Sequence, residues 1–349
     1  MKRYFILLAF VLIICKVQAQ DEEIVIATTV EDPVAEKAYN EGTALFAEKK
    51  YTEALLKFDE AIRNNPAFDK AYLNRAATWA ELHNNEKALQ DYTKAIEINP
   101  TSTAYYGKAR LLHTLNKLND AKDDYTMAIE LNKDNAQAYY YRGGILFEQG
   151  SYEDAAANYD KAIELKNDYA YAYNDRAGCY RMLNKFDKAM EDYNKAIVYD
   201  SKNASFYSNR GSLKRQMNKP EDALKDYDES LKLKNNDHIV LNNRGLANMD
   251  AGKLDEALAD FSKVIELKRD YSYAYNNRGN VKYKLKDYKG AISDYTEAIR
   301  INPQYGYAYL NRGISKEMLR DDAGSCADWK KASEMGVATA TTYLKNQCN

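Results

Sequence analysis

A 34-residue period governs this chain. Sliding the sequence by one period lays Ala54 on Ala88, and Ala155 on Ala189, Ala223, Ala257 and Ala291. Successive copies begin at Ala35, Asp69, Ser102, Ala136, Ala170, Ala204, His238, Ser272 and Gly306, and only one interval is 33 rather than 34. Nine copies in phase require an array of one small repeated unit, stacked so that neighbours bury what each unit alone leaves exposed. The usual relation between length and domain count is therefore irrelevant, and one quasi-one-dimensional domain over residues 35–336 is expected.

Each copy carries two helical patterns. In the eighth, Tyr275, Gly279 and Lys282 fall on one face of a first helix, A, and Ala291, Tyr295 and Ala298 on one face of a second, B. Lys286 and Asp287 interrupt them, and Pro303 ends the second, since proline has no N–H to continue the ladder. Asn116, Gly150, Asn184, Asn218 and Gly252 share the A-to-B turn, where a left-handed residue closes a helix. Gly143, Ala177, Gly211, Gly245, Gly279 and Gly313 make helix A thin where rings such as Tyr159, Tyr193, Tyr227, Phe261, Tyr295 and Trp329 make helix B thick. Small against large is the pattern of interlocked helices at native packing density.

These positions resemble the tetratricopeptide repeat (TPR) family. Its motif is matched by an aromatic at position 4 (Tyr173, Tyr207, Tyr275), Gly or Ala at 8, Ala at 20, an aromatic at 24, Ala at 27 (Ala162, Ala196, Ala298) and Pro at 32 (Pro66, Pro100, Pro303). Local departures are Ala38 and Leu241 at position 4, and Ser325 and Val264 at small positions. The resemblance implies an all-α, right-handed superhelical solenoid of nine helix-turn-helix repeats, whose helices A line a concave groove for partner proteins.

Two polar ladders run through the copies. At position 7 stand Arg75, Arg142, Arg176, Arg210, Arg244, Arg278 and Arg312, with Lys108 in the third copy; at position 23 stand Asp91, Asp124, Asp192, Asp226, Asp260, Asp294 and Asp328. The first copy inverts both signs, with Glu41 and Lys57. Paired inversion favours a salt bridge inside each repeat over a basic stripe for anionic ligands. The second ladder, at position 6, comprises Asn40, Asn74, Asn209, Asn243, Asn277 and Asn311, interrupted by Gly107, Tyr141 and Asp175. It resembles the asparagine ladder of superhelical arrays in this family, which faces the groove and contacts peptide backbone. An amide donates and accepts at once, as an extended chain requires. The competing reading is local bracing of each helix A. The expected peptide-binding set is Asn74, Asn209, Asn243, Asn277 and Asn311, with Tyr273 and Tyr307 one turn before Asn277 and Asn311, and with Asn174, Asn242 and Asn276 as neighbouring polar groups.

The two ends differ from the array. Lys2 and Arg3 precede an apolar run from Phe5 to Cys15, and small Ala19 closes the segment, the form of a signal peptide cleaved before Gln20. Acylation at Cys15 is opposed by bulky Ile14, and the run is short for a membrane span. Removing Lys2, Arg3 and Lys16 and no acid takes the formal net charge from −2 to −5. Residues 20–34 carry acids and no repeat, and a disordered leader is expected. Beyond Gly336, residues 337–349 read as a capping helix that would lay Ala338, Thr342 and Leu344 on the last repeat. The helix before it and the capping helix each run roughly 15 Å, so antiparallel packing would return Cys326 and Cys348 to one level and allow a disulfide in an oxidising compartment, with Cys179 left over. The closing stretch also resembles the ends of exported bacterial, Bacteroidetes-like TPR proteins.

Nothing in the sequence marks catalysis. His83, His113 and His238 occupy different repeat positions, and no HExxH, paired CxxC, phosphate loop or GxSxG element occurs. Lys and Arg total 50 against 52 acids, so no basic bias favours nucleic acid. The reading is an exported, non-enzymatic scaffold in the periplasm or cell envelope, without cofactor or metal, that binds a protein or extended peptide. It would meet a membrane only through a lipid anchor. The alternative is a glycan-binding accessory of an envelope enzyme or transport system.

Overall fold

The structure, a computed structural model, describes residues 32–348. The proposed signal peptide, Cys15 and most of the leader lie outside them. The described chain is helical and falls into two compact units that meet between Asn99 and Pro100, where the single 33-residue interval also lies. In the first unit α1 (Pro33–Ala47) pairs with α2 (Tyr51–Asn64), and α3 (Asp69–Glu81) with α4 (Asn85–Ile98). Helix α1 starts two residues inside the expected leader, because Asp32 caps it by accepting from the Val34 and Ala35 amides and Pro33 takes the first turn.

The second unit continues the same hairpins. Its first pairs are α5 (Ser102–Thr114) with α6 (Leu118–Leu131), α7 (Ala136–Glu148) with α8 (Tyr152–Leu165), and α9 (Ala170–Met182) with α10 (Phe186–Tyr199). Next come α11 (Ala204–Gln216) with α12 (Pro220–Leu233), and α13 (His238–Asp250) with α14 (Leu254–Leu267). The last are α15 (Ser272–Lys284) with α16 (Tyr288–Ile301), and α17 (Gly306–Glu317) with α18 (Asp322–Glu334), before a final α19 (Ala338–Gln347). From α7 to α17 each helix A also touches the next, so the A helices form a continuous row.

The small-against-large pattern is the core. Rings at position 24 are buried almost completely, and a Cβ built on Gly279 would stand 2.7 Å from the Tyr295 ring, one on Gly313 2.6 Å from Trp329 Cδ1. The turns between A and B all carry one residue of positive φ. Asn116, Asn184, Asn218, Gly150 and Gly252 suit it, but Lys49, His83, Lys286 and Arg320 adopt it as well, at φ 59–65°. Leaving the preferred region costs a side chain about 1–2 kcal/mol, which the packing of both helices offsets.

The arginine ladder ties the hairpins together. In Arg210, Nε and Nη2 donate to the two oxygens of Asp226 at 2.9 and 2.7 Å, while Nη1 donates to Asn194 of the preceding helix B at 2.7 Å. Arg75, Arg176, Arg278 and Arg312 repeat the fork, and Arg244 repeats it with Asp260 and Asp228. Lys57 and Glu41 make the inverted pair at 2.6 Å. The ladder is therefore internal structure rather than a stripe for anions. In the sixth, eighth and ninth copies Lys214, Lys282 and Lys316 add a second cation to the same aspartate.

Cys326 and Cys348 are joined by a disulfide, their Cα atoms 5.7 Å apart, and Cys179 is a buried free thiol. Helix α19 covers the last hairpin, but in a different register from the one expected. Leu344 packs there as expected, but Ala338 and Thr342 are exposed, and Val337, Ala340 and Tyr343 meet Leu310, Trp329 and Ala332 in their place. The reason is the Tyr343 ring, which stacks on Trp329 at 4.8 Å and sets the helix's rotation.

Two copies depart from the fork and generate the first prediction. Lys108 has one nitrogen where the others have three; it stands 3.1 Å from Asp124 Oδ2, which is buried and accepts no well-directed hydrogen bond. Burial pushes the Asp124 carboxyl up despite the opposing pull of Lys108, so between its unfolded and folded pKa the native state binds the extra proton. The charged carboxylate thus costs stability at neutral pH, and acidification relieves that cost. Arg142, for its part, meets only neutral Asn158 and Thr126. Lys108→Arg and Asn158→Asp should each stabilise the protein by about 1 kcal/mol at pH 7, and the gain at Lys108 should shrink as pH falls below 5. Urea midpoints at pH 7 and pH 4 check both.

A second prediction concerns the cap. Closing a loop of 22 residues lowers the entropy of the unfolded segment by about 3 kcal/mol at 25 °C. Cys348→Ser should raise hydrogen exchange in α18 and α19 and leave α7–α12 unaffected, because each repeat depends only on its neighbours.

Candidate functional site

The position-6 residues lie where one helix A meets the one before it. Asn277 donates to Asn242 Oδ1 at 3.1 Å, Asn209 to Asn174 Oδ1 at 3.0 Å, and Asn311 to both Asn276 and Asn280 at 3.1 and 3.2 Å. Each remains half-buried rather than buried, and no described residue donates to its own carbonyl oxygen. Asn74 is different: it is 6% exposed and donates to Tyr39 and Thr43, which leaves it no face for a partner and removes it from the expected set. Asn40, in the first copy, is exposed. Asn243 is half-buried, and no hydrogen bond joins its amide to another described residue, since Ser208 stands opposite and donates to Ser205 instead.

Position 5 was the half of this arrangement that spacing did not reveal. Asn174, Asn242 and Asn276 are buried, and they serve as acceptors for the ladder behind the surface. Copies whose positions 5 and 6 both hold amides could have signalled it.

The tyrosines also separate. Tyr273 lies in a half-buried row, its ring 5.6 Å from Tyr271 and 5.0 Å from Tyr305, with His238 against Tyr271 at 5.7 Å. Burial pushes the Tyr271 and Tyr305 hydroxyls up, so both are neutral hydrogen-bonding groups at physiological pH. Tyr307 packs against the terminal core of Leu310, Trp329 and Val337. A second aromatic cluster, unforeseen, joins Tyr106, Tyr125, Tyr140 and Tyr141 in α5–α7, with His113 edge-on to Tyr125 and Tyr141 and held low in pKa by burial.

Among the described residues no cluster of three His, Cys, Asp or Glu side chains could hold a metal ion, and no helix is long and apolar enough to cross a membrane. Among the described residues the three histidines sit in a turn, in an aromatic cluster and against one tyrosine, with no paired nucleophile.

Family models for the tetratricopeptide repeat match residues 69–102 and 272–305, 106–170, and 204–237, and a further TPR repeat model matches 179–214 and 248–286. The chain belongs to the tetratricopeptide repeat family. Proteins of this family are generally non-catalytic scaffolds of protein–protein interaction, and this TPR protein has that fold. The solved APC/C hetero-tetramer Cut9–Hcn1 is similar over 90% of this chain and 76% of that one, with a TM-score of 0.58 and 14% identity. A tetratricopeptide repeat protein from Parabacteroides merdae matches over 72% of this chain and 99% of its own, with a TM-score of 0.55 and 19% identity. YrrB, described as a TPR protein with an unusual peptide-binding site, shares 28% identity over 53% of this chain and 95% of its own, with a TM-score of 0.45. No curated protein matches the chain.

The ladder's hydrogen bonds rank its members. Asn277→Ala and Asn311→Ala should each cost about 1 kcal/mol, since each strands a buried acceptor on the preceding helix. Asn243→Ala should stay within about 0.5 kcal/mol of the parent, because it breaks no bond to another described residue. Denaturant midpoints of the three variants, measured together, check the order.

Proposed function

We propose that this TPR protein is an exported scaffold that binds an extended segment of a partner protein across helices A of its second unit. The observation that carries the reading is Asn243. It is a half-buried amide with no intramolecular hydrogen bond to the described residues, set between Asn209 and Asn277 in a row that spans four successive copies. Its donor and acceptor are both uncommitted within the described residues, and a peptide backbone offers N–H and C=O groups to match them. Asn209, Asn277 and Asn311 each use their amide nitrogen internally, and their carbonyl oxygens, to which no described residue donates, can accept from a partner. The Tyr271, Tyr273 and Tyr305 row adds apolar faces for its side chains.

Export rests on the Lys2–Arg3 pair, the apolar run to Cys15 and Ala19, all outside the described residues. The Cys326–Cys348 bond supports it, because such bonds persist in oxidising compartments. The tyrosine row is also what a glycan-binding accessory would use, through ring stacking on sugars.

An array of immobilised extended decapeptides, probed with the full mature chain, tests the reading. Bound peptides should lose about five-fold in affinity in Asn243→Ala, with the melting temperature unchanged. Equal affinity of parent and variant for every peptide would refute the ladder's role, and retention on glycans but not peptides would favour the accessory reading.

A further inference from the structure

Between neighbouring A helices, positions 5 and 6 hold neutral pairs. Asn74 faces Tyr39, Asn277 faces Asn242, and Asn311 faces Asn276. Asp175 is the exception. Its Oδ2 accepts from the Tyr140 hydroxyl at 2.7 Å and its Oδ1 from the Asn174 amide at 2.8 Å, while Asn174 accepts in turn from Asn209 at 3.0 Å. Two donors thus reach the one carboxylate, one of them backed by Asn209, and no ion pair joins it to a described cation. The adjacent Arg176 is turned towards helices B, on Asp192 and Asp160. Burial, partly offset by Tyr140 and Asn174, raises the carboxyl's pKa, so the isolated charge is a cost to the fold.

The fold does not need that charge. At the equivalent place Asn74 meets Tyr39 with an amide in place of the carboxylate, donating to the hydroxyl at 3.1 Å rather than accepting from it. Asp175 is itself half-buried rather than buried. Gly144 and Gly178 occupy position 9 of α7 and α9, where other copies carry side chains such as Arg110, Leu246 or Asn280. A Cβ at Gly144 would approach only the Tyr159 hydroxyl, at 3.8 Å, and one at Gly178 only the Phe147 ring, at 3.7 Å. Gly178 lies one turn from Asp175 and, unlike its counterparts in those copies, adds no side chain there.

We propose that Asp175 selects the partner by its charge, taking the ammonium or guanidinium of a lysine or arginine side chain in the bound segment. The inference rests on the binding reading above and adds the class of residue recognised. A cation brought by the partner would enter over Gly144 and Gly178 and reach a carboxylate already oriented by Tyr140 and Asn174. A charge-assisted bond at such a position discriminates strongly against a neutral side chain.

The test uses the full mature chain and the decapeptides of the array, each made with lysine, arginine, norleucine or glutamate at one central position. The parent should prefer lysine or arginine to norleucine by about ten-fold, and Asp175→Asn should abolish that preference without weakening the norleucine peptides. Asn243→Ala should weaken all four alike. If the parent binds lysine and norleucine peptides equally while Asn243→Ala weakens both, the face binds peptide and Asp175 has no such role. If Asp175→Asn keeps the preference, the inference also falls. If no peptide binds, both readings fall. A measurement without a variant guards against misfolding: the carboxyl carbon resonance of Asp175 should shift saturably with N-acetyl-lysine methylamide, and a resonance that does not move overturns the proposal.

Discussion

Each position-7 arginine holds three helices at once. In all of them but Arg142, which meets Asn158, the fork grips the aspartate of its own helix B through two nitrogens and reaches back with the third to position 25 of the preceding helix B. The aspartates are nearly buried, with side chains 4–9% exposed in the forked pairs, whereas the guanidiniums keep a wet edge. Such a pair adds little net stability over an apolar contact, but breaking it strands a charge and costs roughly 3–5 kcal/mol. Its value is therefore in geometry. Apolar helices could slide by a turn, and a bidentate fork with a third anchor admits one register.

The irregular copies are adjacent to one another. Lys108 with Asp124, Arg142 with Asn158, and Asp175 with Tyr140 follow in succession from α5 to α9. The same helices hold the Tyr106, Tyr125, Tyr140 and Tyr141 cluster and the two position-9 glycines, Gly144 and Gly178. Charge matching is relaxed there while aromatic surface is increased, so these repeats hold together more by ring packing than by ion pairs. Local violations of the rule a chain otherwise obeys are expected where selection acts on something besides stability.

Much of this was legible in the residues. The period fixes the hairpins, and the sign inversion at Glu41 and Lys57 identifies the fork as a pair before any distance is known. The turn conformation was legible at Asn116 or Gly150, not at Lys49 or Arg320, where tertiary packing overrides local preference. The rotation of α19 was missed because the periodicity of ten residues is consistent with more than one face, and only the Tyr343 ring on Trp329 decides between them. The amide ladder was visible as a column, yet its function as a cross-link was not. The acceptor lies 35 residues back, one more than the period, and a search at the repeat spacing passes over it.

That offset of one residue has a consequence for how such a face can evolve. A position-6 asparagine uses its NH2 group on the preceding repeat while its oxygen accepts from no described residue, so bracing and the proposed recognition draw on different atoms of one side chain. The two roles do not compete, and a ladder can lengthen with the array at no loss of cohesion. Asn243 breaks this economy, since Ser208 leaves it without a bond to the described residues. Asp175 breaks it in the other direction, since a carboxylate has only acceptors and its neighbours must supply every proton. The two departures lie on either side of Asn209, and they give an otherwise uniform row a neutral end and an acidic end.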